Sequence, residues 1–257
     1  MMSDSTQRFS NRVENYVRHR PGYPAELIST LRQRAALSAN SVVADIGAGT
    51  GILTTLLLPV AGTVHAIEPN AAMRAAAEHA LGNTPGFRSH DATAEHTALT
   101  AHSVDLITAG QAFHWFDASS ARIEFSRILK PGGQVALSLN ELLTDTTPFL
   151  RDYENLLKSA ATDYNQVNHM NIDRTVLTAF YAPASFETFT FTNSQQFDCA
   201  GLIGRALSSS YVPNAGQTGH EAFLTQLNRI FDTHATGGTV RFDYKTKLYL
   251  GRLKALP

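Results

Sequence analysis

Three glycines at alternate positions, Gly47, Gly49 and Gly51, constrain the fold of this chain more than any other feature. They stand where a predicted buried strand, residues 41–46, passes into a predicted buried helix, residues 52–60. Glycines in such a turn let a ligand lie against bare backbone. Taken alone, the turn is equally typical of a tight connection that needs positive φ angles.

A carboxylate follows the glycine turn at the spacing of a nucleoside-binding site. Residues 63–67 predict the next strand, and Glu68 stands at its end, 21 residues after Gly47. From that place a carboxylate can accept hydrogen bonds from both ribose hydroxyls of a nucleoside. The strand, helix, strand unit and its acid together predict a nucleotide-binding α/β domain.

The spacing of the glycines separates two nucleotide cofactors. A nicotinamide-binding turn usually reads Gly-x-Gly-x-x-Gly and holds a pyrophosphate at the helix N-terminus, whereas here the third glycine comes one residue early. Asp45, two positions before Gly47, would repel a pyrophosphate and attract the ammonium and sulfonium of S-adenosylmethionine. Asp45 could instead cap the helix or hold the glycine loop by hydrogen bonds. The turn favours the cationic cofactor, with a nicotinamide-dependent oxidoreductase as the alternative.

Strands and helices alternate along most of the chain, which predicts a mostly parallel sheet with helices on both faces. Helices are predicted over residues 12–20, 24–37, 71–81, 119–129, 149–159, 173–180, 199–208 and 220–234. Further strands are predicted over residues 86–89, 104–109, 134–139, 186–192 and 239–250, with a turn at 130–133. Ligands of open α/β sheets bind beyond the carboxyl ends of the strands, so Asp45, Glu68, Asp91, residues 109–111 and Asn140 are expected to border one crevice.

Composition limits the classes of protein and partner. The 257 residues suit one core domain with an insertion, and 17% charged against 43% hydrophobic residues predict a sizeable core. Lysine plus arginine (21) balance aspartate plus glutamate (22), so nucleic acid is not an expected partner. The most apolar run, residues 51–62, is far shorter than the roughly 20 residues of a membrane span, and no signal peptide is apparent. With Cys199 as the one cysteine, we expect a cytoplasmic protein.

Four segments stand in the order of a known family's motifs. They are residues 45–51 (DIGAGTG), 66–70 (AIEPN), 91–95 (DATAE) and 129–133 (LKPGG). In this order they resemble the class I S-adenosylmethionine-dependent methyltransferases. The resemblance implies an α/β fold with a doubly wound, mostly parallel, seven-stranded Rossmann-like sheet and a helical cap insertion. It also implies S-adenosylmethionine as cofactor and S-adenosylhomocysteine as product.

Two further segments resemble one branch of that family. Residues 16–24 (YVRHRPGYP) and 109–116 (AGQAFHWF) are similar to the type 11 branch of small-molecule methyltransferases, including trans-aconitate methyltransferase-like proteins. The branch covers oxygen, nitrogen, carbon and carboxylate acceptors, so the acceptor stays open. The implied organisation is N-terminal lid helices (1–40), a cofactor-binding core (41–140), a substrate cap with one core strand (141–238) and a closing strand (239–257).

The resemblance also assigns cofactor contacts. Glu68 is implied to bind the ribose, Asp91 and Ala92 the adenine, and Arg20 the methionine end together with the 45–51 loop. The full implied set is Tyr16, Arg20, Asp45, Gly47, Ala48, Gly49, Gly51, Glu68, Pro69, Met73, Asp91, Ala92, Thr93, Ala109 and Gln111. The alternatives are an ordinary loop aspartate at position 91 and a solvated helix face at Tyr16 and Arg20.

The acceptor is expected to meet polar and aromatic side chains that follow neighbouring strands. His114 and Trp115 come after the fourth strand and Asn140 after the fifth, so all three would aim at the transferring methyl. His114 is the candidate acid or base, with packing as the alternative for His114 and Trp115. The histidines show no metal-ligand clustering, so no metal is expected. A non-catalytic S-adenosylmethionine-binding protein is the alternative to an enzyme.

Overall fold

The computed structural model describes residues 13–160 and 174–253, and the structural statements below concern that part of the chain. Residues 1–12, 161–173 and 254–257 lie outside the described residues. They include the start of the predicted lid, the first residue of both the 12–20 and 173–180 helices, part of the predicted cap and the end of the predicted closing segment.

The centre of the fold is a seven-stranded sheet. Its strands are β1 (Val42–Ile46), β2 (Thr63–Ile67), β3 (Phe87–His90), β4 (Val104–Gly110), β5 (Leu129–Leu142), β6 (Phe186–Phe197) and β7 (Val240–Gly251). They lie in the order β3-β2-β1-β4-β5-β7-β6, and β7 pairs antiparallel with both neighbours while the other pairs are parallel. The predicted doubly wound α/β fold with a seven-stranded, mostly parallel sheet is therefore confirmed.

Helices cover both faces of this sheet and extend beyond its edge. They are α1 (Val13–His19), α2 (Ala25–Arg34), α3 (Ile52–Leu57), α4 (Ala71–Leu81), α5 (Ala118–Ile128), α6 (Pro148–Ala160), α7 (Arg174–Tyr181), α8 (Cys199–Leu207) and α9 (His220–His234). A single 3-10 turn, Phe113–Trp115, follows β4. The helices predicted over 149–159, 199–208 and 220–234 are present within one residue of their expected ends.

Alternate residues of the central strands bury into two different cores, as the twofold period of a strand requires. Val43 packs in the cluster that contains Leu31 of α2, whereas its neighbour Ala44 packs in the cluster that contains Phe125 of α5. All four residues are fully buried. Because both faces of β1 are covered, its carboxyl end is the part left to face a ligand.

A third core lies beyond the edge of the sheet and belongs to the cap. Phe149 of α6, Leu202 of α8 and Leu227 of α9 cluster there with Phe242 of β7. The later part of the same strand, including Leu248, packs in the α2 core of the sheet. β7 is thus shared between the sheet core and the cap core.

Several predicted boundaries are wrong for local reasons. The turn predicted at residues 130–133 lies within β5, where Val104 pairs with Leu129 but Leu106 pairs with Gln134, so the intervening residues bulge from the ladder. The helix predicted to reach residue 37 ends at Arg34, and the chain then turns through positive φ (52°) at Ala36. The strand predicted over 186–192 continues to residue 197, because its polar second half keeps pairing with β7.

Candidate active site

A pocket opens at the carboxyl ends of β1, β2, β4 and β5, where α1 and α8 close over them; we call it the central pocket. It brings together most of the residues that sequence analysis singled out. Those that line it are Tyr16, Arg20, Asp45, Gly47, Ala48, Gly49, Glu68, Pro69, Met73, Thr93, Gln111, His114, Trp115 and Asn140. Gly51, Asp91, Ala92 and Ala109 do not line it.

The glycine turn takes the backbone shape that sequence analysis expected. Gly47, Gly49 and Gly51 have φ angles of 68°, 58° and 85°, a region that side chains other than glycine rarely adopt. A Cβ at Gly47 would lie 2.5 Å from the Cβ of Ala112, and one at Gly51 would lie 2.7 Å from Cδ1 of Leu81. Gly51 therefore serves packing behind the pocket, and Gly47 and Gly49 form its wall.

Glu68 joins the end of β2 to this turn. Its Oε2 accepts a hydrogen bond from the Gly49 N–H at 2.8 Å, and its Oε1 accepts one from the Asn70 N–H at 2.8 Å. Burial raises the pKa of Glu68, and the two N–H groups and the charge of Arg74 oppose that rise. Each oxygen keeps a second acceptor site, so the carboxylate is oriented to accept two more hydrogen bonds from a ligand.

Asp45 lines the central pocket, and its carboxylate also forms hydrogen bonds that hold neighbouring elements together. It is 1% exposed, and it accepts hydrogen bonds from Thr54 Oγ1 of α3 at 2.6 Å and from Thr108 Oγ1 of β4 at 2.8 Å. Burial raises its pKa to about 6 in spite of these bonds. These bonds tie the end of β1 to α3, which follows the glycine turn, and to the neighbouring strand β4.

Asp91 and Ala92, which were implied to bind adenine, do not line the central pocket. The side chain of Asp91 is 70% exposed and forms an ion pair with Arg74 at 3.0 Å, outside the central pocket. Ala92 packs against the hydrophobic core. Thr93, with Ala94 and Glu95 after it, forms the wall there. The chain leaves β3 with the side chain of residue 91 facing solvent, which a motif comparison does not reveal.

Ala109 is also withdrawn from the pocket, since its side chain is buried in the sheet core. The residues that follow Ala109, beginning with Gly110 and Gln111, line the central pocket. Gln111 has a φ of 54°, its Oε1 accepts from the Asn140 N–H at 2.9 Å and its Nε2 donates to the Asn140 carbonyl at 3.4 Å. His114 and Trp115 follow on the 3-10 turn with ring centroids 4.8 Å apart. Both rings line the central pocket.

The side chain of Asn140 is occupied by the protein itself. Its Nδ2 donates to the carbonyl of Gly22 at 3.1 Å, and its Oδ1 accepts from Thr246 Oγ1 at 2.5 Å and from Asn193 Nδ2 at 3.3 Å. Asn140 therefore ties the N-terminal segment to the sheet. The predicted acceptor contact would have to compete with these bonds.

Helix α1 and the residues after it close one side of the central pocket. The Arg20 guanidinium carbon lies 4.9 Å from the centre of the Tyr16 ring, so the predicted shared face of these residues is present. Arg20 Nη2 donates to the carbonyl of Ser208 at 2.9 Å. Its buried Nε has no hydrogen-bond partner among the described residues. Burial, followed by the charge of Arg205, lowers the pKa of Arg20.

The sequence predicted a cap over the pocket and singled out residues 16–24, but Tyr23, Arg205, Tyr211 and Tyr244 were not among the expected site residues. Tyr23 stands so close to Gly110 that a Cβ there would lie 2.5 Å from the tyrosine oxygen. Arg205, Tyr211 and Tyr244 line the cap side of the pocket. The one available signal was Arg205, a charged residue within the otherwise apolar helix CAGLIGRAL.

The sheet order, the glycine turn after β1 and the acid after β2 define a Rossmann-like nucleoside-binding protein. Solved structures show the same fold. A proposed type II methyltransferase from Anaeromyxobacter dehalogenans superimposes with a TM-score of 0.67 at 23% identity, over 92% of this chain and 99% of that chain.

Sequence comparison identifies the family. A family model described as "Methyltransferase domain" matches residues 44–137. An uncharacterized methyltransferase of Geobacillus sp. is 30% identical over 169 residues, 63% of this chain and 76% of the relative. One from Mycobacterium tuberculosis is 39% identical over 137 residues, 53% of this chain and 54% of the relative. The chain belongs to the class I S-adenosylmethionine-dependent methyltransferases. The matched region spans about half the length of the mycobacterial relative.

The central pocket fits the cofactor of that family. Glu68 offers two oriented acceptor positions, and the buried Nε of Arg20 offers a donor and a positive charge to a carboxylate. In the described part of the chain no three His, Cys, Asp or Glu side chains cluster as metal ligands would. None of the described helices is long and apolar enough to cross a membrane.

Proposed function

We propose that this protein transfers a methyl group from S-adenosylmethionine to a small molecule bound in the central pocket. The observation that carries the proposal is the pair of 2.8 Å hydrogen bonds from the Gly49 and Asn70 N–H groups to Glu68. They hold the acid at the end of β2 against the glycine turn. This arrangement suits a nucleoside whose ribose hydroxyls point at Glu68.

In this proposal the ends of the cofactor meet different elements. Glu68 binds the ribose, Arg20 binds the methionine carboxylate, and Thr93 and its neighbours contact the adenine. Gly47 and Gly49 leave room for the ligand against the backbone. When bound, S-adenosylmethionine supplies an electrophilic methyl group on a sulfonium.

The remaining task of the chain is to position the acceptor. An in-line displacement needs the attacking atom about 3 Å from the methyl carbon, and orientation with exclusion of water supplies much of the rate. The aromatic rings of Tyr211 and Tyr244 on the cap side of the pocket, and of Trp115 on the turn after β4, suit this task. His114 lies beside Trp115 on that turn and is the candidate to accept a proton from the acceptor.

The finer assignment to the type 11 branch rests on residues 16–24 and 109–116. Both segments contribute to the central pocket, through Tyr16, Arg20, Gln111, His114 and Trp115 among others. We therefore propose a small-molecule methyltransferase of the trans-aconitate methyltransferase-like type, acting in the cytoplasm. The proposed acceptor is a metabolite in preference to nucleic acid, because the chain carries a net charge of −1.

Two experiments test the proposal. Calorimetry should detect binding of S-adenosylhomocysteine, and binding of NADH without any binding of this nucleoside would overturn it. Incubation with methyl-labelled S-adenosylmethionine and a metabolite extract should then label a small molecule. Binding of the nucleoside with no labelled product in any extract would favour the non-catalytic binding protein.

A further inference from the structure

A buried arginine on α8 has no task in the proposed cofactor site. Arg205 is 6% exposed, yet it lines the central pocket. Its guanidinium stays protonated at any pH at which the protein is folded. A charge removed from water is costly unless an opposite charge or several good hydrogen bonds compensate it. What compensates Arg205 therefore bears on what the pocket binds.

The contacts of Arg205 within the described residues are all to uncharged groups. Nε donates to the Tyr244 hydroxyl at 3.3 Å, Nη1 donates to Ser209 Oγ at 3.3 Å, and the guanidinium lies 5.7 Å from the centre of the Phe242 ring. Both hydrogen bonds are long, and they use two of five N–H groups. Among residues 13–160 and 174–253, no carboxylate pairs with this guanidinium.

A second buried cation in the same pocket increases the excess of positive charge. Arg20 bonds to the carbonyl of Ser208, and Arg205 bonds to the side chain of the next residue, Ser209. The charge of Arg205 contributes, after burial, to the lowered pKa of Arg20. Like charges in a pocket of low dielectric constant repel each other. Two anionic groups, one for each guanidinium, would relieve that repulsion.

We propose that Arg205 binds a carboxylate of the methyl acceptor, so that the acceptor is a small organic acid. The inference rests on the proposed function, which assigns Arg20 to the carboxylate of the cofactor. A planar guanidinium matches a carboxylate through two parallel hydrogen bonds. One guanidinium neutralises a carboxylate fully and a phosphate dianion only in part. Tyr211 and Trp115, which line the same pocket, would cover the carbon skeleton.

The chain contains its own reporter for this site. Trp115 is the one tryptophan in the sequence, and it lines the central pocket. Its fluorescence should change saturably when phenylacetate is added to protein saturated with S-adenosylhomocysteine. Phenylacetamide, which has the same shape without the charge, should bind at least tenfold more weakly. Phenyl phosphate tests a phosphate as the source of the anion and should also bind at least tenfold more weakly.

Variants of the arginine separate its role from that of the cofactor site. Arg205→Met should weaken phenylacetate binding at least tenfold and leave the affinity for S-adenosylhomocysteine within threefold. Arg205→Lys keeps the charge but cannot form two parallel hydrogen bonds with a carboxylate. Its affinity for phenylacetate should lie between those of the wild type and Arg205→Met. Arg241→Met is the matched control, because Arg241 lies on the exposed side of β7 beside Asp243. Binding of S-adenosylhomocysteine by each variant reports that it is folded, and Arg205→Lys carries the test if Arg205→Met does not fold.

Each outcome bears on one of the two proposals. If the wild-type protein fails to bind S-adenosylhomocysteine, the proposed function fails. If it binds that nucleoside but shows no saturable response to phenylacetate, or responds equally to phenylacetamide, the organic-acid inference alone is overturned. Tighter binding of phenyl phosphate would overturn it in favour of a phosphate. It is also overturned if Arg205→Met weakens S-adenosylhomocysteine but not 5′-methylthioadenosine, because Arg205 would then hold the cofactor's carboxylate.

Discussion

His19 and Gly204 stand so close that a Cβ on residue 204 would lie 2.2 Å from the imidazole Nε2. This contact joins α1 to α8, and the bond from Gln195 Nε2 to the His19 carbonyl (3.3 Å) lies beside it. The N-terminal helix can rest on the cap because residue 204 has no side chain. The closure of one side of the central pocket therefore depends on this glycine.

Replacing Gly204 by alanine should separate α1 from the cap. Alanine normally stabilises a helix interior by about 1 kcal/mol relative to glycine, but here the added methyl group collides with the imidazole ring of His19. We expect faster hydrogen exchange over residues 13–20 and at least fivefold weaker binding of S-adenosylhomocysteine. Gly22→Ala is the control, because nothing lies within 4 Å of a Cβ at Gly22. Equal exchange in both variants would contradict the closure role.

Bound cofactor should stabilise the same N-terminal segment. Residues 16–24 are a short helix end followed by proline-rich chain, and elements of low local stability commonly form lids. Hydrogen exchange in this segment should slow when S-adenosylhomocysteine is added, while exchange in β7 should stay unchanged. A segment that exchanges at the same rate in both states is not a lid.

Glu68→Gln should weaken cofactor binding strongly. The amide keeps the size of the side chain, but its NH₂ group would face a backbone N–H of Gly49 or Asn70 and could not accept from the ribose. The expected loss is about 2 to 4 kcal/mol of binding free energy for S-adenosylhomocysteine. Calorimetry measures it, with Glu26→Gln in the exposed first turn of α2 as the control. Wild-type affinity in a folded Glu68→Gln protein would remove Glu68 from the site.

His114→Ala and Trp115→Ala should act on the acceptor more than on the cofactor. Both rings line the central pocket from the 3-10 turn after β4. We expect turnover to fall at least about tenfold while cofactor affinity stays within about a factor of three. Steady-state kinetics with the identified acceptor provide the measurement. Normal turnover in both variants would mean that the acceptor binds elsewhere.

Asp45 should make the folded state less stable as pH rises. Burial raises its pKa from 3.8 to about 6, so between these values the folded protein holds a proton that the unfolded chain has released. The resulting contribution to stability is complete below about pH 4 and is lost as pH rises through 6. In Asp45→Asn this loss is absent. The stability of wild type relative to Asp45→Asn should fall by about 2 kcal/mol between pH 4.5 and 7.5, measured by urea unfolding, and a constant difference would contradict the raised pKa.

Sequence reasoning succeeded where local pattern and topology determine the structure. The alternation of strands and helices predicted the sheet, and the glycine turn with Glu68 predicted the centre of the pocket, because the carboxyl ends of parallel strands necessarily share one edge. It was less successful where the side chain after a strand can point either into the pocket or toward solvent. Asp91 follows a predicted strand as Glu68 does, yet it pairs with Arg74 at the surface.

The cap was the part least accessible to sequence reasoning. Arg205 and Tyr244 reach the central pocket through packing between α8 and β7, elements separated by more than thirty residues of sequence. The hydrophobic periodicity within each element does not predict that these two elements pack together. Asn140 lines the central pocket, but its bonds to Gly22 and Thr246 depend on segments at opposite ends of the chain.

The sharing of β7 between two hydrophobic cores has a mechanical consequence. Phe242 anchors the strand in the cap, and Leu248, six residues later, anchors it in the sheet. The strand pairs with β6 along all twelve residues and with β5 from Tyr244 to Gly251, so a hinge between the cap and the sheet would have to break backbone ladders. The helix α1, by contrast, rests on the cap through contacts such as those of His19 and Arg20, so a ligand that entered past α1 would leave both ladders of β7 intact.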